Sequence, residues 1–310
     1  MSVPDAGADP SPPPRSRGGW RAGLVRAARD LAGLVVPVEC AGCGLLDVPL
    51  CAACRAMLDG PAWRCEAGAP RLDRVGRAPL PVWTLTAYTG AVRELVVAWK
   101  DRGRVDLTPV LTAALAAAAR DVAPVLRAAG ATGAAGPARP AGSAGPPGPA
   151  GAGPPLLVVP APSSGAARRR RGVDLTGRLA VAVARACTTH GVPASAAPVL
   201  VQRRGARDQV GLGARARRSN VGGRIRWRRG AARPAAGQPV LLVDDVLTTG
   251  ATLAACDDVV RGAGARVVAA LTLAATPPPG RRAAQAPVAL QRACARSVPS
   301  HDPVTTTPAW

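Results

Sequence analysis

The sequence predicts an open α/β sheet that is mostly parallel, with helices on both faces, preceded by a small N-terminal module that holds four cysteines. Three observations indicate this fold class. Short apolar runs alternate with segments of helical periodicity between residues 80 and 276. The apolar runs lack the polar alternation of a half-exposed strand, which is typical of strands covered on both faces. Two Cys-x2-Cys pairs precede this region.

The first half of the α/β region predicts one strand and two helices. Residues 82–88 (VWTLTAY) are β-branched and aromatic enough for a strand. Apolar residues recur at helical spacing in 91–100, and Gly103 follows as a stop. The alanine-rich residues 107–127 predict a second helix, in which Pro109 is tolerated because it falls in the first turn.

The second half predicts three buried strands separated by two helices. In chain order these are a strand at 156–162, a helix at 174–190, a strand at 240–246, a helix at 252–263 and a strand at 267–275. Strands separated by helices imply parallel pairing. In such sheets ligands bind beyond the carboxyl ends of the strands, so we expect the chemistry just after Val159 and just after Val243.

Three segments rich in glycine, proline or small polar residues are expected to be disordered: a leader at 1–18, an insert at 130–155 and a tail at 277–310. Much of the chain's excess of glycine and proline (35 and 33 residues) falls in these segments. Residues 19–68 are expected to form an N-terminal helix followed by the cysteine module. Residues 80–276 are expected to form the α/β domain around the insert.

The composition limits the function classes. The 310-residue chain has a formal net charge of +21, which excludes an acidic disordered protein. Its 40 basic residues include a single lysine, Lys100, and this arginine bias weakens the charge as evidence for a nucleic-acid partner. No run of about 18 apolar residues predicts a membrane span. Charged residues interrupt the N-terminal apolar stretch, unlike a secretory signal, so we expect a cytoplasmic protein.

Four cysteines form the pattern Cys-x2-Cys-x7-Cys-x2-Cys, namely Cys40, Cys43, Cys51 and Cys54. Two such pairs place four thiolates around one tetrahedral Zn²⁺. Because all four ligands are cysteines, no position is open for a catalytic water, and the zinc is expected to be structural. Disulfides are the alternative, and a reducing compartment disfavours them.

The most informative segment is VLLVDDVLTTGATL, residues 240–253. A buried strand ends in two adjacent carboxylates, Asp244 and Asp245. A loop of small and hydroxyl-bearing residues follows and leads directly into a helix; it contains Thr248, Thr249, Gly250, Ala251 and Thr252. Backbone N–H groups, hydroxyls and a helix N-terminus suit a phosphate, whereas carboxylates suit neutral hydroxyls such as a ribose diol. The segment predicts a sugar-phosphate site; a strand followed by a capped helix is the alternative.

The earlier buried strand also ends in candidate anion ligands. It is followed by Ser163 and Ser164 and then by four consecutive arginines that begin at Arg168. Guanidinium groups suit a pyrophosphate, and a solvated charge run is the alternative. Residues 201–230 carry ten arginines against one acid. They suit a loop that closes over a ligand, a basic surface loop, or a phosphate-backbone contact with nucleic acid.

Residues 240–253 closely resemble the phosphoribosyl-pyrophosphate (PRPP) motif of type I phosphoribosyltransferases. The layout of residues 36–276, with a four-cysteine knuckle ahead of this motif, resembles the ComF family. The resemblance implies that Asp244 and Asp245 are catalytic residues that hold the ribose hydroxyls. It also implies that residues 248–252 hold the 5′-phosphate and that Mg²⁺ accompanies PRPP.

The same resemblance assigns the end of the earlier strand to a pyrophosphate loop, with Ser163 and Arg168 among its ligands. Lys100 matches a lysine of the ComF pattern and is a candidate phosphate or substrate contact; a cation at a helix end is the alternative. Val173 and Asp174 depart from the family pattern, which has an aromatic residue and an asparagine there.

Two classes of function follow. The first is Mg²⁺-dependent transfer of a phosphoribosyl group from PRPP to an unknown acceptor, or PRPP sensing at the same site without turnover. The second is a non-enzymatic protein of competence and DNA uptake that binds single-stranded DNA, because ComF members are associated with competence. The complete phosphate loop favours the first class, and the arginine density favours the second.

Overall fold

The structure is a computed structural model that describes residues 38–130, 154–163, 172–203 and 224–278. Within these residues the chain is a mixed α/β protein with a mostly parallel six-stranded sheet. The expected leader and N-terminal helix, and nearly all of the expected insert and tail, lie outside the described residues.

The described part of the chain contains five α-helices and eight β-strands. In order they are α1 (Ala52–Ala56), β1 (Trp63–Arg64), β2 (Val82–Ala87), α2 (Gly90–Lys100), α3 (Thr108–Ala128), β3 (Leu156–Pro160), α4 (Leu175–Thr189), β4 (Ala194–Ala196), β5 (Leu200–Gln202), β6 (Ile225–Trp227), β7 (Pro239–Leu247), α5 (Ala251–Gly262) and β8 (Arg266–Ala275). Every strand and helix predicted in the α/β region is present, with ends close to the predicted ones. The four strands that were not predicted, β1, β4, β5 and β6, are too short to show a period.

The main sheet has the strand order β1-β2-β8-β7-β3-β4. The edge strand β1 pairs antiparallel with β2, and every other neighbouring pair is parallel. Strands β5 and β6 form a separate antiparallel ribbon. The prediction of a mostly parallel sheet is confirmed.

The chain reverses its direction of winding at the centre of this sheet. From β3 it passes through α4 to β4 on one side, and from β7 it passes through α5 to β8 on the other. β3 and β7 are direct neighbours, in register from Leu157↔Val240 to Pro160↔Val243. Their carboxyl ends therefore flank a crevice of the kind in which open α/β sheets bind ligands.

Alternating side chains of the central strands build two hydrophobic cores. Leu241 and Val243 pack with buried residues of α2, α3 and α4 on one face. Val240 and Leu242 pack with buried residues of α5 on the other face. Helices thus cover both faces, as predicted. Because the chain has no phenylalanine, leucine, valine and alanine fill most of the cores, and Trp99 is the largest fully buried side chain.

Within the described residues, one helix is long and apolar enough to cross a membrane, by length and composition only. It covers residues 105–128, which are α3 and the turn before it, with a mean hydropathy of 1.4. Its apolar residues Leu111, Leu115 and Leu126 are fully buried in the protein. Although only 39% of its apolar window is buried, the sheet and the neighbouring helices cover these large side chains, and a core helix needs the same residues as a membrane helix.

Candidate functional site

The two adjacent carboxylates at the end of β7 lie on opposite faces of the sheet. Residues of a strand alternate between faces, and β7 stays paired with β8 from Pro239 to Leu247. Asp245 points toward α2, where its Oδ2 lies 2.8 Å from Lys100 Nζ. Asp244 points toward α5, where its charge contributes to raising the pKa of the buried Cys256 thiol, after the larger effect of burial. The strand therefore presents one acid to each side of the crevice.

Helix α2 positions Lys100 beside Asp245. The helix buries an apolar stripe that ends at Trp99, and the Trp99 indole Nε1–H donates to Thr108 Oγ1 at 3.0 Å. Lys100 is the next residue, so its direction is set by a fixed neighbour. Burial alone would lower the pKa of Lys100, but attraction to Asp245 and then to Asp244 raises it above its ordinary value. The lysine is thus held as a cation at the acid pair.

The environment of Asp244 favours its neutral form. Burial, and then repulsion by the charge of Asp245, raise the pKa of the Asp244 carboxyl to about 8, against the attraction of Lys100. The Asp245 backbone N–H donates to Asp244 Oδ1 at 2.8 Å. The pair can therefore offer a carboxylate acceptor at Asp245 and a carboxyl that both accepts and donates at Asp244. Such a mixed pair suits hydroxyl groups.

The loop after β7 leads straight into the N-terminus of α5. Thr248 and Thr249 are exposed, and Gly250 is the N-cap with a φ of 80°. No side chain caps the helix, so the first N–H groups of α5, which have no intrahelical acceptor, face the end of the loop. Ala251 and Thr252, half-buried, form the first turn. This arrangement can bind an anion.

Gly250 has a packing requirement that sequence reasoning missed. A glycine in such a loop can serve to leave room for a ligand. A Cβ on Gly250 would instead lie 2.6 Å from Leu72 Cγ and 3.1 Å from Ala69 Cβ. The Arg71 backbone N–H also donates to Thr249 O at 2.9 Å. The phosphate loop is therefore packed from behind by residues 65–77, which we call the linker segment.

Ion pairs fasten the linker segment to α5. Arg74 contacts the carboxylates of Asp257 and Asp258, and Arg77 Nη1 lies 2.7 Å from Asp258 Oδ1. Asp257 is almost fully buried and also pairs with Arg261 at 2.7 Å. Because the linker segment joins the cysteine module to β2, these contacts connect the N-terminal module with the helix that begins at the phosphate loop.

The end of β3 is described only in part. Ser163 Oγ lies 3.3 Å from Thr176 Oγ1 in the first turn of α4. Ser164 and Arg168 lie outside the described residues, so their predicted roles stay predictions. Asp174 has a structural role: it is the N-cap of α4, and its Oδ1 accepts a hydrogen bond from Gly177 N–H at 3.1 Å.

A cavity of about 650 Å³ lies beside this end of β3 rather than over the acid pair. Its lining includes Pro160, Asp174, Arg178 and Thr108 but neither Asp244 nor Asp245. It therefore lies toward α4, β4 and the start of α3, apart from the acid pair.

The four predicted zinc ligands come together as one cluster. The Sγ atoms of Cys40, Cys43, Cys51 and Cys54 all lie within 4.8 Å of one another. Cys43 and Cys51 Sγ are 3.6 Å apart, which matches the edge of about 3.8 Å expected for sulfurs around tetrahedral Zn²⁺ and far exceeds a disulfide bond. The donor set and its spacing fit a zinc ion.

Backbone N–H groups also point at these sulfurs. Cys51 N–H donates to Cys40 Sγ at 3.3 Å, and Cys54 N–H donates to Cys51 Sγ at 3.4 Å. Burial opposes ionisation of Cys40, yet hydrogen bonds from the backbone lower its pKa to about 6. Donors aimed at sulfur stabilise the thiolate form that binds a metal.

Because comparison with known proteins gives no match, a functional assignment rests on the geometry of the acid pair, the loop after β7 and the cysteine cluster. No family model matches the chain, and no curated protein matches it. The resemblance to the ComF family therefore stays a hypothesis that rests on the motifs themselves.

Proposed function

We propose that this chain binds PRPP, as its Mg²⁺ complex, in the crevice between the carboxyl ends of β3 and β7, and transfers the phosphoribosyl group to an acceptor. One observation carries the proposal. β7 brings Asp244 and Asp245 to the point where the sheet reverses its winding and continues directly into an uncapped helix N-terminus. Hydroxyl-binding and phosphate-binding groups are thereby set side by side.

The acid pair supports a ribose rather than a second phosphate. Asp245 is ion-paired with Lys100 at 2.8 Å, and Asp244 is poised to be neutral near physiological pH. The pair therefore repels the phosphates of PRPP less than two free carboxylates would, and it still supplies acceptors for two neighbouring hydroxyls of the ribose. Lys100 lies close enough to the pair to assist an anionic substituent of the same sugar.

The loop and α5 support the 5′-phosphate. Thr248 and Thr249 offer exposed hydroxyls, and the first N–H groups of α5 offer backbone donors. The linker segment packs against Gly250 and leaves the loop no free space on that side, which restricts the conformation of the loop. A preorganised loop loses less conformational entropy when a ligand binds.

The pyrophosphate is assigned to the end of β3, with Ser163 in place and Ser164 and Arg168 as expected further ligands. When bound, Mg²⁺ supplies positive charge that stabilises the departing pyrophosphate. The proposal also includes the finer points of the sequence interpretation: a type I phosphoribosyltransferase fold of the ComF type, a structural zinc and a cytoplasmic location.

The test is calorimetric titration of the full chain with PRPP and MgCl2. We expect saturable binding by the wild type and a loss of at least about tenfold in affinity for Asp244→Asn/Asp245→Asn, since two hydrogen-bonded acceptors change. The matched control is Asp59→Asn/Asp73→Asn, which removes the same formal charge from exposed positions. Absence of binding by the wild type, or equal affinity in the two double variants, overturns the proposal.

One observation favours binding of single-stranded DNA as a second candidate function. Arg203, Arg226, Arg228 and Arg229 are exposed on and beside the β5–β6 ribbon. Such a surface can contact phosphates without reading bases. DNA affinity that falls steeply with salt and is unaffected by PRPP would favour this function, and its loss in Arg226→Ala/Arg228→Ala would locate the surface.

A further inference from the structure

We infer that Arg104 is a positioning residue through which the four-cysteine cluster controls Lys100 at the acid pair. The inference deepens the proposed function, on which its consequence for PRPP binding rests. Its steps are that the metal-filled cluster holds Arg104, that Arg104 holds the carboxyl end of α2, and that α2 holds Lys100 against Asp245.

Arg104 bridges the two halves of the cysteine module. Its Nη1 donates to Glu39 O at 3.1 Å, and its Nη2 donates to Pro49 O at 3.0 Å. Glu39 directly precedes Cys40, and Pro49 lies two residues before Cys51. One guanidinium thus binds the backbone beside a ligand from each Cys-x2-Cys pair.

The same residue is joined to the end of α2. Its backbone N–H donates to Ala98 O at 3.1 Å, across the turn that Gly103 makes with a φ of 75°. Its guanidinium is held by Asp106, with Nη2 to Oδ2 at 2.8 Å and Nε to Oδ1 at 2.9 Å. Both the main chain and the side chain of Arg104 are therefore fixed, within a few residues of Lys100.

The cysteine module also touches the start of α2. A Cβ on Gly42 would lie 2.8 Å from Cys54 Sγ and 3.2 Å from Ala91 O in the first turn of the helix, and Ala91 packs against the buried cysteines. The module thus contacts α2 at its first turn and, through Arg104, just beyond its last. Because the cysteine module contacts this 11-residue helix at both ends, we expect the helix to move together with the module.

Metal occupancy determines whether the cysteine module is rigid. A bound zinc fixes the two Cys-x2-Cys pairs relative to each other, and with them the two carbonyls that Arg104 bridges. Without the metal the pairs separate, Arg104 loses a fixed partner, and Lys100 is released from Asp245. The coupling is reciprocal, so binding at the acid pair also favours metal retention.

The uniqueness of Lys100 makes this measurable without PRPP. Because it is the only lysine in the chain, acylation of its amine by a lysine-selective reagent can be followed by mass spectrometry, with the N-terminal amine resolved by peptide mapping. We expect chelator-treated protein and zinc-loaded Arg104→Ala each to be acylated about fivefold faster than zinc-loaded wild type, the factor for losing one modest ion pair. Arg102→Ala is the control, since the guanidinium of the exposed Arg102 pairs with Glu94 of α2.

Wild-type acylation rates in zinc-loaded Arg104→Ala overturn the inference, as does an equal effect of Arg102→Ala. If chelation unfolds the protein, the zinc-loaded Arg104→Ala variant, checked for one bound metal and a cooperative thermal transition, still decides the result. PRPP is absent from this assay. Failure of the proposed function is therefore seen separately, as a lack of protection of Lys100 when PRPP and MgCl2 are added to the wild type.

Discussion

The cysteine cluster and the acid pair are assembled in different ways. All four sulfurs come from one short stretch, Cys40 to Cys54, and their local backbone supplies the N–H groups that point at them. The acid pair is adjacent in sequence, but its supporting residues are remote: Lys100 comes from α2, and Leu72 supports the following loop from the linker segment. The first site depends on local geometry and the second on the whole fold.

This difference sets what each site tolerates. Loss of one sulfur removes a quarter of the coordination of a metal, and no other residue can replace it. Several contacts of modest energy contribute to the site at the acid pair, so each single change there should lower ligand affinity only partly. Variants at the two sites should therefore differ in size of effect and in which measurement changes.

The largest effect is expected from Cys40→Ser. A structural Zn²⁺ contributes on the order of 10 kcal/mol to the folding of small metal modules, so loss of a ligand should abolish stable binding and unfold the module. We expect metal content to fall from about one zinc per chain to almost none, with a lower thermal transition. Cys65→Ser is the matched control, because Cys65 lies outside the cluster and its thiol donates to Val82 O. Equal zinc content in the two variants would contradict the site.

An intermediate effect is expected from Gly250→Ala. The added methyl must displace Leu72 and also sits on a backbone with positive φ, so the free energy of unfolding should fall by about 2–3 kcal/mol. Gly262→Ala is the control within the same helix, because a Cβ there meets nothing within 4 Å, and it should be neutral or slightly stabilising. Denaturant titration of both variants measures the difference. Equal stabilities would show that the linker segment yields freely.

These two variants also mark how far the sequence could predict the molecule. The buried strands and long helices are predictable because periodicity and apolar runs are local, and the Cys40–Cys54 spacing encodes a metal site by itself. Nothing in the sequence indicates that Leu72 fills the space beside Gly250 or that Arg104 bridges Glu39 and Pro49. Such contacts join segments far apart in the chain and depend on packing that no local pattern records.

The smallest effect per measured step, at most about 1.4 kcal/mol for each pH unit, is expected from the protonation of Asp244. Its pKa in the folded protein is about 8, against an ordinary value of 3.8, so between those pH values the folded state binds a proton that the unfolded state has lost. Stability should therefore fall as pH rises from about 4 to about 8, with a slope of at most about 1.4 kcal/mol per pH unit. Asp244→Asn keeps the size of the side chain and removes this titration. Both histidines are present in both proteins, so their contribution cancels in the difference.

Removing the cation with Lys100→Met should extend the loss of stability to higher pH, because Lys100 lowers the pKa of Asp244. Parallel stability profiles of wild type and Asp244→Asn between pH 5 and 8 would mean that Asp244 is ionised throughout, and the acid pair would then face a ligand as two carboxylates balanced by one lysine.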